Sequence, residues 1–237
     1  MDLKQVSESL NIYIRPGSFP VALKLCLSGN ELPEKVRMPM RDLGYQVALC
    51  QAIGLARRYR WTLAVGNDDQ CCIGGALAMG FIAQPPEGAM LSAPAEKRLE
   101  AGKFSHLLIA PIEITDFEPD VIVIYGDSAQ INRLVQSASM GVGQEVSALA
   151  PGFMDCGDTV ARTFLSDKCQ LILPSGGDRV FGGTQDHEVI FTMPKSKIEA
   201  VVKGLENTHK LGFRYPILTD LRHRPVLPPF LEIPKKA

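Results

Sequence analysis

The sequence predicts an α/β fold, a single domain made from a duplicated β-α-β unit whose pseudo-two-fold related halves surround a central sheet. Three observations predict it. Two strongly apolar runs, 106–112 and 121–125, are rich in Ile, Leu and Val and bounded by turn residues, as strands buried on both faces are. The second run passes directly into Gly126-Asp127-Ser128-Ala129-Gln130, where Asp127 is placed to cap a helix and Gln130 to reach back to the cap. Such a succession of strand, turn and helix is an α/β signature. The third observation is internal similarity, which reports architecture independently of propensity. Gln51 to Cys72 and Gln136 to Cys156 cover nearly equal intervals, each starting in a helix, crossing an extended run and ending at a cysteine closely followed by glycine. Upstream, Pro20-Val21-Ala22-Leu23 matches Pro119-Asp120-Val121-Ile122. Downstream, His106-Leu107-Leu108-Ile109 matches His187-Glu188-Val189-Ile190. The halves so defined are 20–112 and 119–205.

In chain order, residues 2–14 read as a short amphipathic helix stopped by Arg15-Pro16-Gly17, which sets off residues 1–19 as an N-terminal helical segment. Residues 20–27 read as a strand, and 28–41, with Gly29, Pro33 and Pro39, as a loop. Leu43, Val47, Cys50 and Gly54 fall at helical spacing and predict a helix of about four turns with Cys50 facing inward. Its end, Arg57-Arg58-Tyr59-Arg60, reads as a solvated last turn whose cations complement the helix dipole. Residues 61–65 predict a strand, Cys71-Cys72-Ile73-Gly74-Gly75 opens a small-residue helix, and Pro85-Pro86 ends it. Residues 195–205 form a further helix. The duplicated domain extends over 20–215, and 216–237 is a Pro-rich tail suited to wrapping the surface or reaching a larger enzyme partner or a second copy.

The composition is ordinary for a globular protein, with 46% hydrophobic and 22% charged residues. A formal net charge of -1 gives no basic excess for nucleic-acid binding. No apolar run approaches the roughly 18 residues of a membrane span, and the N-terminus lacks the pattern of a signal peptide, so a cytoplasmic protein without membrane contact is expected. Six cysteines in such a setting are core residues, metal ligands or reactive thiols rather than a disulfide framework.

Cys72 is the foremost candidate for chemistry. It lies where a turn becomes a helix, with Gly74 and Gly75 permitting close approach of a cofactor, and free N–H groups at a helix start favour a thiolate. Cys156, in Phe153-Met154-Asp155-Cys156-Gly157-Asp158-Thr159, is its partner in the repeat, and Cys50 faces the same interior. For each of the three the competing assignment is a small packing residue. Cys26 and Cys169 read as structural. Together Cys50, Cys72 and Cys156 form a thiolate set for an iron–sulfur cluster or another thiophilic metal, with one iron left open or held by an oxygen ligand. No C-x-x-C pair or standard zinc spacing accompanies them. In the loop Leu173-Pro174-Ser175-Gly176-Gly177-Asp178-Arg179, Arg179 is a candidate catalytic anchor for a small anionic substrate, or else closes its loop with Asp178. His106 and His187 stand at matching strand starts as possible bases or structural residues, and His209 and His223 read as surface residues. There is no Ser-His-Asp pattern, HExxH helix or paired-carboxylate motif.

The segments Cys50-Gln51-Ala52-Ile53, Cys72-Ile73-Gly74-Gly75-Ala76, residues 119–126, Arg133-Leu134-Val135-Gln136 and Gly177-Asp178-Arg179 together resemble the DUF169 family, also labelled ArCR. The resemblance runs over about 20–215. It implies a prokaryotic, cytoplasmic setting, mainly in anaerobic bacteria and archaea, and it places the turn at Cys72 among the family's motif residues. Three functions are carried forward: a redox protein with a cysteine-ligated cluster in a cleft between the halves, a metal-free thiol enzyme or binder of a small anion, and an accessory subunit docking through its tail.

Overall fold

A computed structural model describes residues 2–89, 93–143, 146–217, 227 and 231–232. Most of the Pro-rich tail, including His223, lies outside the described residues. The chain forms a mixed α/β fold on a seven-stranded sheet with strands β1 (Val21–Leu27), β2 (Leu63–Gly66), β3 (Phe104–Pro111), β4 (Val121–Gly126), β5 (Ser147–Leu149), β6 (Gln170–Ile172) and β7 (Val189–Pro194). Their order across the sheet is β2-β3-β1-β4-β7-β6-β5. Every pairing is antiparallel except that of β5 with β6. The parallel sheet implied by β-α-β units is therefore restricted to one edge.

Alternation along the strands builds two cores, because successive side chains point to opposite faces. Val121, Val123 and Tyr125 of β4 face the core shared with Leu23, Ile53 and Val160. Ile122 and Ile124 face the other, with Ile131, Phe191 and Leu205. Helix α1 (Leu3–Tyr13), capped by the Asp2 carboxylate, covers the second face with α4 (Ser128–Val142) and α7 (Ile198–Lys210). The first face carries α2 (Leu49–Tyr59), α3 (Ile73–Ala78), α5 (Thr163–Ser166) and α6 (Gly176–Val180).

Helix α2 begins at Leu49, six residues later than the spacing predicts. Leu43 ends a π-helical turn closed by Gly44 in the left-handed region, and Val47 is extended, bridged to Gln70 by Val47 N to Asp69 O and Cys71 N to Val47 O. Arg57 is not solvated either: only 1% of it is exposed. Its burial depends on Glu188, far away in sequence, which no local pattern announces.

Helices α4 and α7 run antiparallel at backbone contact. A Cβ on Gly141 would collide with the Ala200 carbonyl, and one on Gly204 with the Ser137 carbonyl. One turn further along, Arg133 donates to Thr208 Oγ1 at 2.9 Å. The predicted cap of α4 is present: Asp127 Oδ1 accepts from Ala129 N and Gln130 N, both at 2.8 Å, and Gln130 Oε1 accepts from Asp127 N. Tyr215 OH also donates to Asp127. Replacing Asp127 by Ala is expected to lower stability by about 1–2 kcal/mol, the cost of losing an N-cap. Urea denaturation should show a lower midpoint with unchanged slope, and an unchanged midpoint would contradict the role given to this cap.

Candidate functional site

Three segments far apart in sequence meet on the α2 face of the sheet. The start of α2 brings Cys50, half-buried, with its Sγ 3.7 Å from Gly177 O of α6. This approach requires glycine at two positions: a Cβ on Gly54 would strike the Gly182 carbonyl, and one on Gly182 would strike Asp178 and come within 3.0 Å of Cys50 O. Cys72, exposed, is the residue before α3. Cys156, half-buried, leads into a π-helical turn at Gly157–Arg162.

The Cys156 segment is clamped on both sides. Ahead of it, Asp155 accepts from Ser175 Oγ at 2.7 Å and from Ser175 N at 3.0 Å, tying it to the start of α6. Behind it, the buried Asp158 pairs with Lys97 at 2.6 Å and Arg162 at 2.7 Å. A carboxylate in this position is stable only because two cations meet it.

Burial pushes the Cys50 thiol far up, and the neighbouring Asp178, Asp155 and Cys72 push it further. Burial does the same to Cys156, again with Asp155, Cys50, Cys72 and Asp178 acting on it. The three cysteines singled out in the sequence are thus electrostatic neighbours, gathered round two carboxyls. Asp178, one of these carboxyls, is 1% exposed. It accepts from Thr184 Oγ1 at 2.6 Å and from Tyr125 OH at 3.4 Å. Burial first, and Asp155 second, raise its carboxyl to about 7, against the partial opposition of these hydrogen bonds and Arg57. Tyr125 is likewise raised by burial and by Asp178. Among the described residues, no three His, Cys, Asp or Glu side chains stand ready to chelate a common metal ion.

The cation nearest this group is already committed. Arg57 lies over the Tyr125 ring, 3.9 Å from its centroid, and donates to both oxygens of Glu188 at 2.8 and 3.0 Å. It also reaches Thr184 Oγ1 and Ser18 Oγ. Burial works to raise Glu188, but Arg57, the Gln185 N–H and Arg58 together more than offset it and hold the carboxyl below its ordinary range.

Several predicted site residues take other roles. The guanidinium of Arg179 donates to Gln185 O at 2.9 Å and faces Asp186 at 3.8 Å, so the residue this loop sends to the cysteines is its neighbour Asp178. Gly74 is buried, and the space a Gly75 side chain would occupy is filled by the Gln70 amide and Leu49 rather than left open. Gln70 Oε1 accepts from Cys72 N at 3.2 Å, which uses one of the helix-start N–H groups assigned to the thiolate. Cys72 lies between β2 and α3, and Cys156 between β5 and β6. Cys26 and Cys169 are buried. His187 is exposed, His106 is half-buried against Gly66, and His209 is half-buried with its ring 5.0 Å from that of Tyr13. Sequence reasoning missed Asp155, Tyr125 and Asp178 as site residues, although Asp178 and Tyr125 both fall in the segments that carry the family resemblance.

The family model for DUF169, described as uncharacterised ArCR, matches residues 9–204. The chain belongs to the DUF169 family. The matched stretch includes all three clustered cysteines, both carboxyls and Tyr125. This DUF169 chain is 29% identical over 206 residues to a Methanocaldococcus jannaschii protein named uncharacterized protein MJ0308, covering 79% of this chain and 86% of that one. No solved structure matches.

The raised carboxyl of Asp178 makes stability depend on pH. Between its unfolded value of 3.8 and about 7 the folded state keeps a proton that the unfolded chain has released. Stability should therefore fall as pH rises through this window, by on the order of 2 to 4 kcal/mol. Asp178→Asn is expected to flatten that slope in denaturation measured from pH 4 to 8. An unchanged slope would place the titrating group elsewhere.

Proposed function

We propose that this chain is a cofactor-binding protein of anaerobic redox metabolism, holding an iron–sulfur cluster or another thiophilic metal through Cys50, Cys72 and Cys156. One observation carries the proposal: burial, with Cys72, Asp155 and Asp178 close by, raises the thiols of Cys50 and Cys156, while the Arg57 guanidinium is already bound to Glu188. Such a group lacks a counter-charge, and soft sulfur donors suit a thiophilic cation. The chemistry of the donors therefore suits the cofactor. A cluster held by Cys50, Cys72 and Cys156 would supply electron transfer and a place for substrate.

The chain's own residues have defined parts in this proposal. Cys50, Cys72 and Cys156 lose protons as ligands. Asp178 holds a proton at its carboxyl near neutrality and is placed to exchange it with a molecule bound beside the thiols. Arg57 and Thr184 fix Tyr125 and Asp178 in place. The proposal includes an origin by duplication, with the site at the junction of the halves. Its support is the strand order: read outward from the centre, β1-β3-β2 on one side is matched by β4-β7-β6 on the other, with β5 added at the edge.

A metal-free thiol enzyme is the second proposal, favoured by the exposure of Cys72 beside two less accessible thiols. Anaerobic purification separates the two. The wild-type protein should retain iron and acid-labile sulfide and absorb visible light. Cys72→Ser and Cys156→Ser should lose all three while keeping the native circular dichroism, and Cys169→Ser should change none. A colourless, metal-free protein whose Cys72 alone reacts rapidly with iodoacetamide would overturn the first proposal in favour of the second.

A further inference from the structure

The two largest side chains with essentially no exposure are both arginines, Arg57 and Arg133, and they are settled differently. Arg57 has a bidentate carboxylate. Among the described residues Arg133 has only neutral oxygens: Gln136 Oε1 at 3.0 Å, Thr208 Oγ1 at 2.9 Å and Leu205 O at 3.4 Å. Its Nε is buried without a partner. The carboxylates on adjoining elements are engaged elsewhere, Asp127 with the α4 cap and Tyr215, and Glu206 with Lys210. The end of α7 offers partial compensation through its carbonyls, but a guanidinium with no counter-ion among the described residues is costly to bury.

Arg133 lines a cleft of about 370 Å³ on the second face of the sheet, at the open end of the α4–α7 pair. The exposed Arg214 lines the same cleft, with Asn132 and Gln136 as amides and Phe213 and Ile217 as apolar walls. The field of both cations reaches His209, which burial, Arg214 and Arg133 hold below its ordinary range. A volume of this order accommodates a small ligand.

We propose that this cleft binds a small organic oxyanion, a carboxylate or phosphate carried on an apolar body, with Arg133 and Arg214 holding the anionic head. A guanidinium is suited to such groups through its planar fork of donors. The site is separate from the cysteines and does not depend on the function assigned to them.

Calorimetry on the full chain with phenyl phosphate, benzoate and uncharged phenol tests the proposal. At least one anion should bind at one per chain, and the tighter of the two identifies the head group; phenol should bind at least about tenfold more weakly. Arg214→Ala, at an exposed position, should weaken anion binding by about tenfold or more, and so should Arg133→Lys, which keeps charge but loses the fork. Arg133→Met should abolish binding while leaving the melting temperature of the free protein unchanged or higher, since it removes an uncompensated buried charge. No binding of either anion at millimolar concentration, or binding indifferent to Arg214→Ala and Arg133→Lys, would overturn the proposal.

Discussion

A guanidinium withdrawn from water must be met by a carboxylate, and the meeting of Arg57 with Glu188 organises one whole face of this molecule. Arg57 ends α2, and Glu188 stands just before β7. Pairing them draws the intervening segment, with α6, across α2. The same guanidinium covers Tyr125 and reaches Thr184, so it fixes both hydrogen-bond donors to Asp178. Removing one member of such a pair typically costs about 3–5 kcal/mol, because the other is left charged and buried. The glycines at 54 and 182 then let the backbones close until Cys50 and Asp178 share one space.

Much of the architecture was legible because it is encoded locally. Asp127 and Gln130 announce a capped helix three residues apart, and the runs ahead of Pro111 and Gly126 announce buried strands by composition alone. Strand direction was not legible: a fully apolar strand has the same composition in a parallel or an antiparallel sheet. Of the site, the three cysteines could be picked out by their position at turns and helix faces. Asp178 could not, because its burial is produced by Thr184, Tyr125 and Asp155 rather than by its neighbours Gly177 and Arg179. Arg57 was misplaced for the same reason. A basic helix end reads as solvated until Glu188 arrives from 131 residues away.

The molecule buries ionisable side chains on both faces of its sheet. On the α2 face, Asp155 and Asp178 are met by hydroxyl and amide donors. On the α4–α7 face, the Arg133 guanidinium meets no acid among the described residues. The strands between them are almost wholly apolar, and β4 serves both faces, sending Tyr125 to one core and Ile124 to the other.

The ladder between α4 and α7 joins residues 133, 137 and 141 on one helix to 208, 204 and 200 on the other. Each step is four residues, so one face of α4 is committed to contact along more than two turns. Exposed side chains of the helix, such as Ser139 and Met140, can be exchanged freely, but a single inserted residue would turn everything beyond it by about 100°. Gly141 would leave Ala200, a bulkier neighbour would meet the opposing backbone, or Arg133 would swing away from its cleft. The length of α4 is therefore under tighter constraint than its composition, and tolerance to insertions should begin only past Gly143, where the left-handed backbone ends the helix.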